Sequence, residues 1–208
     1  MAGARKFDET ALLDAVLQVF WQQGYQATTM ADLAAAAGVQ RGSLYHAYGG
    51  KEDLLLRALD RYAERQGGAV LAALADPDQR PDPRPDPRRA IAGFLDAHLR
   101  RMADPDTPAG CLMCQTALEC GGRDPIPAER VRHHFLRTEG VLRAVLERAR
   151  QDGALPAGIE PQALARFYLG VSRGMAVLHR AYGDLDAVRD LARESLRLLE
   201  PSSSARTA

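Results

Sequence analysis

The apolar residues of this chain recur with the period of an α-helix from near its start to near its end. In the first segment Leu13, Val16, Leu17 and Phe20 stand at positions i, i+3, i+4 and i+7, which places them on one helical face. No stretch of useful length alternates apolar and polar residues with period two, which is the pattern of a half-buried strand. The sequence therefore predicts an all-α fold of about nine helices.

Caps and a glycine organise the first fifty residues into three short helices. The second helix begins at Thr29, and Asp32 three residues later approximates a capping box. Gly38 ends this helix, and a third helix follows over about residues 40–47. Because these proportions are typical of a helix-turn-helix, we expect residues 1–50 to form such a module.

The third predicted helix has one apolar side and one polar side. Leu44 faces the module, and the opposite side carries Gln40, Arg41, Ser43 and His46. A major groove accepts such a face, since arginine can pair with guanine, glutamine with adenine and serine with either. The alternative is an ordinary solvated face. Because 27 basic and 27 acidic residues give a net charge of zero, DNA binding would depend on a local patch.

Lys51 favours the nucleic-acid interpretation. It stands in the first turn of the next helix, where the helix dipole disfavours a cation. A phosphate oxygen as partner would explain a lysine there, and Thr29 at the start of the second helix is also suited to phosphate. Arg5 and Lys6 belong to an arm that either enters the minor groove or only solubilises the terminus.

Residues 12–55 resemble the DNA-binding domain of the tetracycline-repressor (TetR) family of bacterial transcription regulators. The matching residues are Phe20, Gly24-Tyr25, Thr28-Thr29, Leu33-Ala34, Ala37-Gly38-Val39, Gly42-Ser43-Leu44-Tyr45 and Lys51-Glu52-Asp53-Leu54. The resemblance implies phosphate contacts from Thr29, Tyr45 and Lys51, and base contacts from Gln40, Arg41, Ser43 and His46. The chain departs from the family's usual pattern at Gln40 and at residues 45–48, so the operator sequence cannot be predicted from it.

The remaining chain is also predicted to be helical. A long helix runs from Lys51 to about residue 75, and a proline-rich segment over 76–88 forms a loop. Further helices are expected at about 88–103, 109–121, 127–152, 161–182 and 185–199. Residues 51–200 are thus assigned to a ligand-binding and dimerisation domain, and 201–208 to a mobile tail.

Helix 161–182 is predicted to have two apolar faces. One, with Leu164, Phe167, Tyr168, Val171, Met175 and Leu178, fills the subunit core; the other, with Ala165, Leu169, Ser172, Ala176 and His179, meets a second copy across a two-fold axis. The last helix offers Val188, Leu191, Ala192, Ser195 and Leu199 to the same homodimer interface. The resemblance implies an inducer pocket, for which the expected lining is Phe94, His98, Met102, Leu118, Phe135, Phe167 and Tyr168.

The three cysteines allow two interpretations. The run from Gly110 through Cys111 and Cys114 to Glu119 resembles a motif of one branch of the family, and a cysteine near a helix N-terminus is a candidate oxidant or electrophile sensor. Alternatively, Cys111 is an inert buried residue. The remote alternative is an all-α enzyme using Cys111 and Cys114, or His98 with Glu119. We expect no metal site, because Cys-x-x-Cys lacks a second paired element.

Composition and the termini limit the class of protein. The chain carries no apolar run long enough for a membrane helix and no secretory signal, and three cysteines do not make a disulfide framework. These features predict a cytoplasmic protein. Together with the resemblance they predict a ligand-responsive repressor that binds double-stranded operator DNA, with no cofactor and no enzymatic activity.

Overall fold

The computed structural model describes residues 8–72, 74 and 86–200, and every regular element among them is helical. The all-α prediction is therefore confirmed for this part of the chain. The helices are α1 (Glu9–Gln23), α2 (Met30–Ala36), α3 (Arg41–Tyr48), α4 (Lys51–Tyr62), α5 (Gly68–Ala72), α6 (Pro87–Ala103), α7 (Leu112–Cys120), α8 (Pro125–Gln151), α9 (Pro161–Tyr182) and α10 (Asp186–Ser195). No helix among the described residues is long and apolar enough to cross a membrane.

The predicted helix from Lys51 to residue 75 is not regular. After α4 the chain forms a π-helical turn over Ala63–Gly67 before α5 resumes the α-helix. Two consecutive glycines, Gly67 and Gly68, lie at this junction, and glycine weakens a helix because its backbone is the least restricted. The turn is therefore a local weak point in an otherwise continuous helix.

Other boundaries differ from the prediction by a few residues. Helix α6 begins inside the proline-rich segment, because the Asp86 side chain accepts from the Arg88 N–H and Pro87 suits the first helical position. Helix α7 begins at Leu112 and not near residue 109, since Gly110 has a φ of +95° that an α-helix does not contain. Arg5, Lys6, residues 76–85 and the tail 201–208 lie outside the described residues.

The chain divides into two compact units. Unit 1 comprises Met1–Arg65 and Cys111–Arg132, and unit 2 comprises Gln66–Gly110 and His133–Ala208. This division differs from the sequence-based boundary at residue 50, because α4 packs against α1 and α7 packs against α4. Unit 1 therefore contains the helix-turn-helix module together with α7.

Unit 2 buries the face of α9 that was predicted to meet a second copy. Ala165, Ser172 and Ala176 are almost fully buried within the protomer, where α9 packs against α10 and α6. The residues of α10 and the following 3-10 turn predicted for the same purpose, Val188, Ala192, Ser195 and Leu199, are buried as well. For these buried residues the prediction is wrong, because the small-residue face packs against helices of its own chain. Leu169, His179 and Leu191, which were predicted with them, are half-buried.

Candidate nucleic-acid interface

The capping box predicted at the start of α2 is present. The Thr29 backbone N–H donates to Asp32 Oδ2 at 2.8 Å, and the Asp32 N–H donates to Thr29 Oγ1 at 3.2 Å. The pair satisfies two N–H groups that the helix itself leaves unpaired. Thr29 is exposed, and its hydroxyl also donates to Asp32 Oδ2 at 2.7 Å.

The turn between α2 and α3 holds the two helices in a fixed geometry. Gly38 has a φ of +66°, a backbone conformation that side chains disfavour, and the Val39 N–H donates to the Ala34 carbonyl at 3.0 Å. Leu44 is the one buried residue of α3, at 1% exposure. The helix is thus anchored on one side, and its other side is free to face a partner.

The polar side of α3 is exposed along its length. The exposed residues are Gln40, Arg41, Gly42, Ser43, Tyr45, His46 and Ala47. Within this face the Arg41 guanidinium lies 5.5 Å from the Tyr45 ring centroid and donates to its hydroxyl at 3.4 Å. This exposed set, which we call the α3 face, presents a cation, an amide and hydroxyl groups to one side of unit 1.

Lys51 has partners inside the protein. Its ammonium donates to the Tyr25 and Thr28 carbonyls, each at 2.9 Å, and lies 4.4 Å from the Tyr25 ring centroid. These contacts stabilise a cation at a helix start without a phosphate, so the position of Lys51 alone no longer indicates one. What Lys51 does in the structure is fix the loop between α1 and α2.

Glu119 of α7 holds the same loop from another side, a contact that the sequence did not predict. Its carboxylate accepts from the backbone N–H of Tyr25 at 2.6 Å and of Gln26 at 3.0 Å. A Cβ on Gly24, whose φ is +85°, would overlap this carboxylate and the Gln115 amide. The glutamate of the cysteine motif was visible in the sequence, but its partners lie more than ninety positions earlier.

The residues predicted for an inducer pocket do not share one environment. Phe94, His98 and Met102 are buried on one face of α6. Tyr168 is also buried, but its hydroxyl donates to the Ser195 carbonyl at 3.0 Å. Hence Tyr168 is not a free polar group for a ligand.

The other three residues predicted for the inducer pocket are less buried. Phe135 is half-buried, and its ring lies 5.0 Å from the Arg173 guanidinium. Phe167 is 42% exposed and Leu118 is 84% exposed. Neither of these two is a buried pocket residue in the structure. Phe167 is exposed because its neighbour Tyr168 faces the core of unit 2, and Leu118 lies on α7, which belongs to unit 1.

Cys111 occupies the N-cap position of α7 and is 5% exposed. The Tyr62 hydroxyl donates to its sulfur at 3.3 Å. Cys120 is fully buried, and burial raises the pKa of its thiol to about 11. Cys120 is therefore inert at neutral pH, whereas Cys111 combines a helix start with a hydroxyl donor.

Two family models match the chain on either side of the proline-rich segment. Residues 12–58 match the model described as bacterial regulatory proteins of the tetR family, and residues 87–195 match the tetracyclin repressor-like C-terminal domain. The first match covers the α3 face and Lys51. The second covers α6 to α10.

Similar proteins extend over nearly the whole chain. The transcriptional repressor ComR of Escherichia coli is 29% identical over 92% of this chain and 89% of its own length. The uncharacterised regulator YezE of Bacillus subtilis is 29% identical over 96% of this chain and 100% of its own. A cysteine mutant of the regulator CifR, solved with operator DNA of 26 base pairs, is 26% identical, with a TM-score of 0.82 over 94% of this chain and 98% of that one.

Proposed function

We propose a function for this chain, which belongs to the tetracycline-repressor family of bacterial transcription regulators. It is a cytoplasmic repressor that binds a palindromic operator as a homodimer. It leaves that operator when a small apolar or amphipathic inducer binds. The exposed α3 face carries this proposal. An anchored helix whose polar side is free is the feature that a helix-turn-helix protein inserts into a major groove. The similarity to a regulator solved with operator DNA supports a DNA partner.

Within this proposal Gln40, Arg41, Ser43 and His46 read bases. Arg41 has the geometry for a bidentate contact with guanine once it leaves the Tyr45 ring. Thr29 and Tyr45 are exposed and contact phosphates, while Lys51 acts first by shaping the loop that precedes Thr29. Direct contact of Lys51 with phosphate is a further part of the proposal.

The homodimer forms through α9 and through α10 with the 3-10 turn that follows it, Leu196–Leu199, by surfaces other than the buried small-residue face. Apolar side chains remain exposed on these elements, namely Phe167 (42%), Val177 (55%), Tyr182 (62%) and Leu198 (47%). Phe167, Gly170, Gly174 and Val177 follow one another at helical spacing on α9, so large and small residues share one stripe. Covering such a stripe removes apolar area from water, and two recognition helices in one dimer match two half-sites about 34 Å apart.

In the release mechanism the inducer binds in unit 2, and α4 moves in response. The chain passes from unit 1 to unit 2 between Arg65 and Gln66, inside the π-helical turn. A turn of this kind can change its hydrogen bonding at modest cost, and such turns are frequent at functional sites. The inducer must prefer the released conformation by about 5 kcal/mol to convert a mostly bound population into a mostly free one.

Fluorescence anisotropy with a labelled fragment from upstream of the protein's own gene tests the proposal. We expect tight binding that weakens steeply with added salt, since phosphate contacts release counterions. A scrambled fragment of equal length should bind far more weakly. Equal affinity for both fragments, or no binding to any upstream fragment at low salt, would refute a sequence-specific regulator.

A second candidate is a thiol-based sensor on the same scaffold. The hydrogen bond from the Tyr62 hydroxyl to Cys111 favours it, because such a donor stabilises a thiolate. Treatment with an electrophile should then release operator DNA from the wild type, and neither Cys111→Ser nor Tyr62→Phe should respond as strongly. A Cys111→Ser protein that responds like the wild type would eliminate this candidate.

A further inference from the structure

Glu119 joins α7 to the loop that leads into α2. One carboxylate oxygen, Oε2, accepts hydrogen bonds from the backbone N–H of Tyr25 at 2.6 Å and of Gln26 at 3.0 Å. The other oxygen, Oε1, accepts from the side-chain amide of Gln115, one turn earlier in α7, at 3.2 Å. Because both oxygens have partners, the carboxylate is held in one orientation against the loop.

The loop that Glu119 holds lies directly before the elements that carry the α3 face. Tyr25 and Gln26 belong to the short segment that ends at Thr29, the N-cap of α2. Helix α2 in turn contacts α3 across the turn at Gly38. A change in the loop therefore changes how α2 and α3 are held within unit 1.

The contact joins two segments that match different family models. Glu119 lies in the segment 87–195, which matches the C-terminal domain, whereas the loop lies in the segment 12–58, which matches the DNA-binding domain. Helix α7 is nevertheless part of unit 1 and packs against α4. Its buried residues are Leu112, Met113, Thr116 and Cys120. Glu119 thus reaches the loop from a helix that is itself anchored.

We propose that Glu119 is a positioning residue for operator binding. Its carboxylate holds the loop between α1 and α2 in the conformation in which the α3 face fits the major groove, so that a movement of α7 lowers operator affinity. Glu119 acts through the loop, without touching DNA itself. If only a fraction of the molecules keeps the competent conformation, the apparent affinity falls to that fraction of its full value. This inference rests on the proposed function, since it requires the α3 face to bind DNA.

Charge and positioning predict opposite effects of removing this carboxylate. DNA repels an anion, so the loss of a negative charge from unit 1 should strengthen binding if Glu119 acted by charge alone. Positioning predicts weaker binding, because the loss of two hydrogen bonds releases the loop. The sign of the change in operator affinity therefore separates the two effects.

Fluorescence anisotropy with the operator fragment and full-length variants measures that sign. Glu119→Ala should bind about tenfold more weakly than the wild type. Glu119→Asp should weaken similarly, because it keeps the charge on a shorter side chain, and it serves as the test if the alanine variant does not fold. Glu119→Gln keeps the length and one acceptor oxygen, so it should stay within about threefold of the wild type. Unchanged or tighter binding in both Glu119→Ala and Glu119→Asp would overturn the proposal.

Asp14→Ala is the matched control within unit 1. The Asp14 carboxylate accepts two hydrogen bonds from Arg61, at 2.8 Å and 3.2 Å, and makes no contact with the loop. Its removal should lower stability but leave operator affinity unchanged or slightly higher, at a temperature at which circular dichroism shows every variant folded. A loss of affinity as large as that of Glu119→Ala would overturn the proposal, because destabilisation alone would then explain both.

Amide hydrogen exchange tests the loop without DNA. The peptide that contains Tyr25 and Gln26 should exchange faster in Glu119→Ala and Glu119→Asp than in the wild type, since its two N–H groups lose their acceptor. Unchanged exchange would overturn the proposal. A wild type that binds its operator as tightly as the Glu119 variants do would refute positioning and leave the proposed function intact, whereas a wild type that binds no operator would refute both.

Discussion

The carboxylate of Glu119 on α7 accepts a hydrogen bond from the backbone N–H of Tyr25 at 2.6 Å, across 94 positions of sequence. Lys51 donates to the carbonyl of the same Tyr25 at 2.9 Å. The loop between α1 and α2 is thereby held by an anion at its N–H groups and a cation at its carbonyls. The orientation of α2 and α3 depends on both contacts, because this loop leads directly into α2.

Gly24 is the position at which this arrangement is most sensitive. Gly24→Ala should lower the free energy of unfolding by about 2–4 kcal/mol, since its φ of +85° is strained for alanine and the new Cβ would overlap Glu119. Gly38→Ala is the comparison, because its φ of +66° is also positive but a Cβ there meets nothing within 4 Å, while the ψ of 171° at Gly24 adds backbone strain of its own. We expect it to lower stability by about 1–2 kcal/mol.

Denaturant unfolding measures both variants, and a double variant separates strain from overlap. Glu119→Ala removes two hydrogen bonds to the loop, so it should cost stability in the wild type and in Gly38→Ala alike, but it should cost less in Gly24→Ala, where it also removes the overlap. Equal destabilisation by the two glycine substitutions would show that the overlap with Glu119 is unimportant.

Lys51 should contribute to the stability of the folded protein even in the absence of DNA. Lys51→Met removes two hydrogen bonds from a charged donor and should lower the free energy of unfolding by about 2 kcal/mol. Arg57→Met on the same helix, whose guanidinium lies over the Tyr48 ring at 5.2 Å, is the comparison and should lose less. An unchanged melting temperature in Lys51→Met would mean that the carbonyl contacts contribute little.

Sequence reasoning succeeded where a feature depends on neighbours a few positions away. The capping box of Thr29 and Asp32, the break at Gly38 and the inward Leu44 all follow from local rules, and all three are present. The fold class followed from the same periodicity. Contacts between distant segments, such as Glu119 with Tyr25, have no local signal and were missed.

Two adjacent positions on α9 show a second limit of prediction from the sequence. Both Phe167 and Tyr168 were assigned to the core, yet Tyr168 is fully buried and Phe167 is 42% exposed. Consecutive residues differ by about 100° around a helix, so a wide apolar face does not determine which edge is covered. Only the packing of α9 against α10 and α6 decides this.

The exposed stripe on α9 provides a test of the dimer. Val177→Asp should convert the dimer to monomers in analytical ultracentrifugation, because a charge would be buried in an apolar interface. Ile126→Asp on α8, where the native side chain is 54% exposed, is the matched control and should stay dimeric. A dimer of unchanged affinity in Val177→Asp would place the interface elsewhere.

His98 should make the protein sensitive to acid. Since its pKa in the folded protein is well below the ordinary value of 6.5, the unfolded chain takes up a proton that the folded chain does not as pH falls below 6.5. The free energy of unfolding should therefore fall by about 1.4 kcal/mol per pH unit below that point and be unaffected above it. Urea unfolding at several pH values measures this dependence. The fall in unfolding free energy per pH unit should be smaller in His98→Phe and unchanged in His46→Gln. Equal slopes in the wild type and in His98→Phe would show that His98 does not cause the acid sensitivity.

The most direct test of the α3 face is the ratio of affinities for an operator fragment and for a scrambled fragment, measured in the wild type and in two arginine variants. Arg41→Ala should reduce the difference in binding free energy between the two fragments by about 1–3 kcal/mol while its melting temperature stays unchanged, because an exposed base contact contributes to specificity and not to folding. Arg148→Ala should behave like the wild type. Two results would contradict base reading by α3. In one, Arg41→Ala keeps the full ratio of affinities; in the other, the ratio falls only because the variant protein is unfolded.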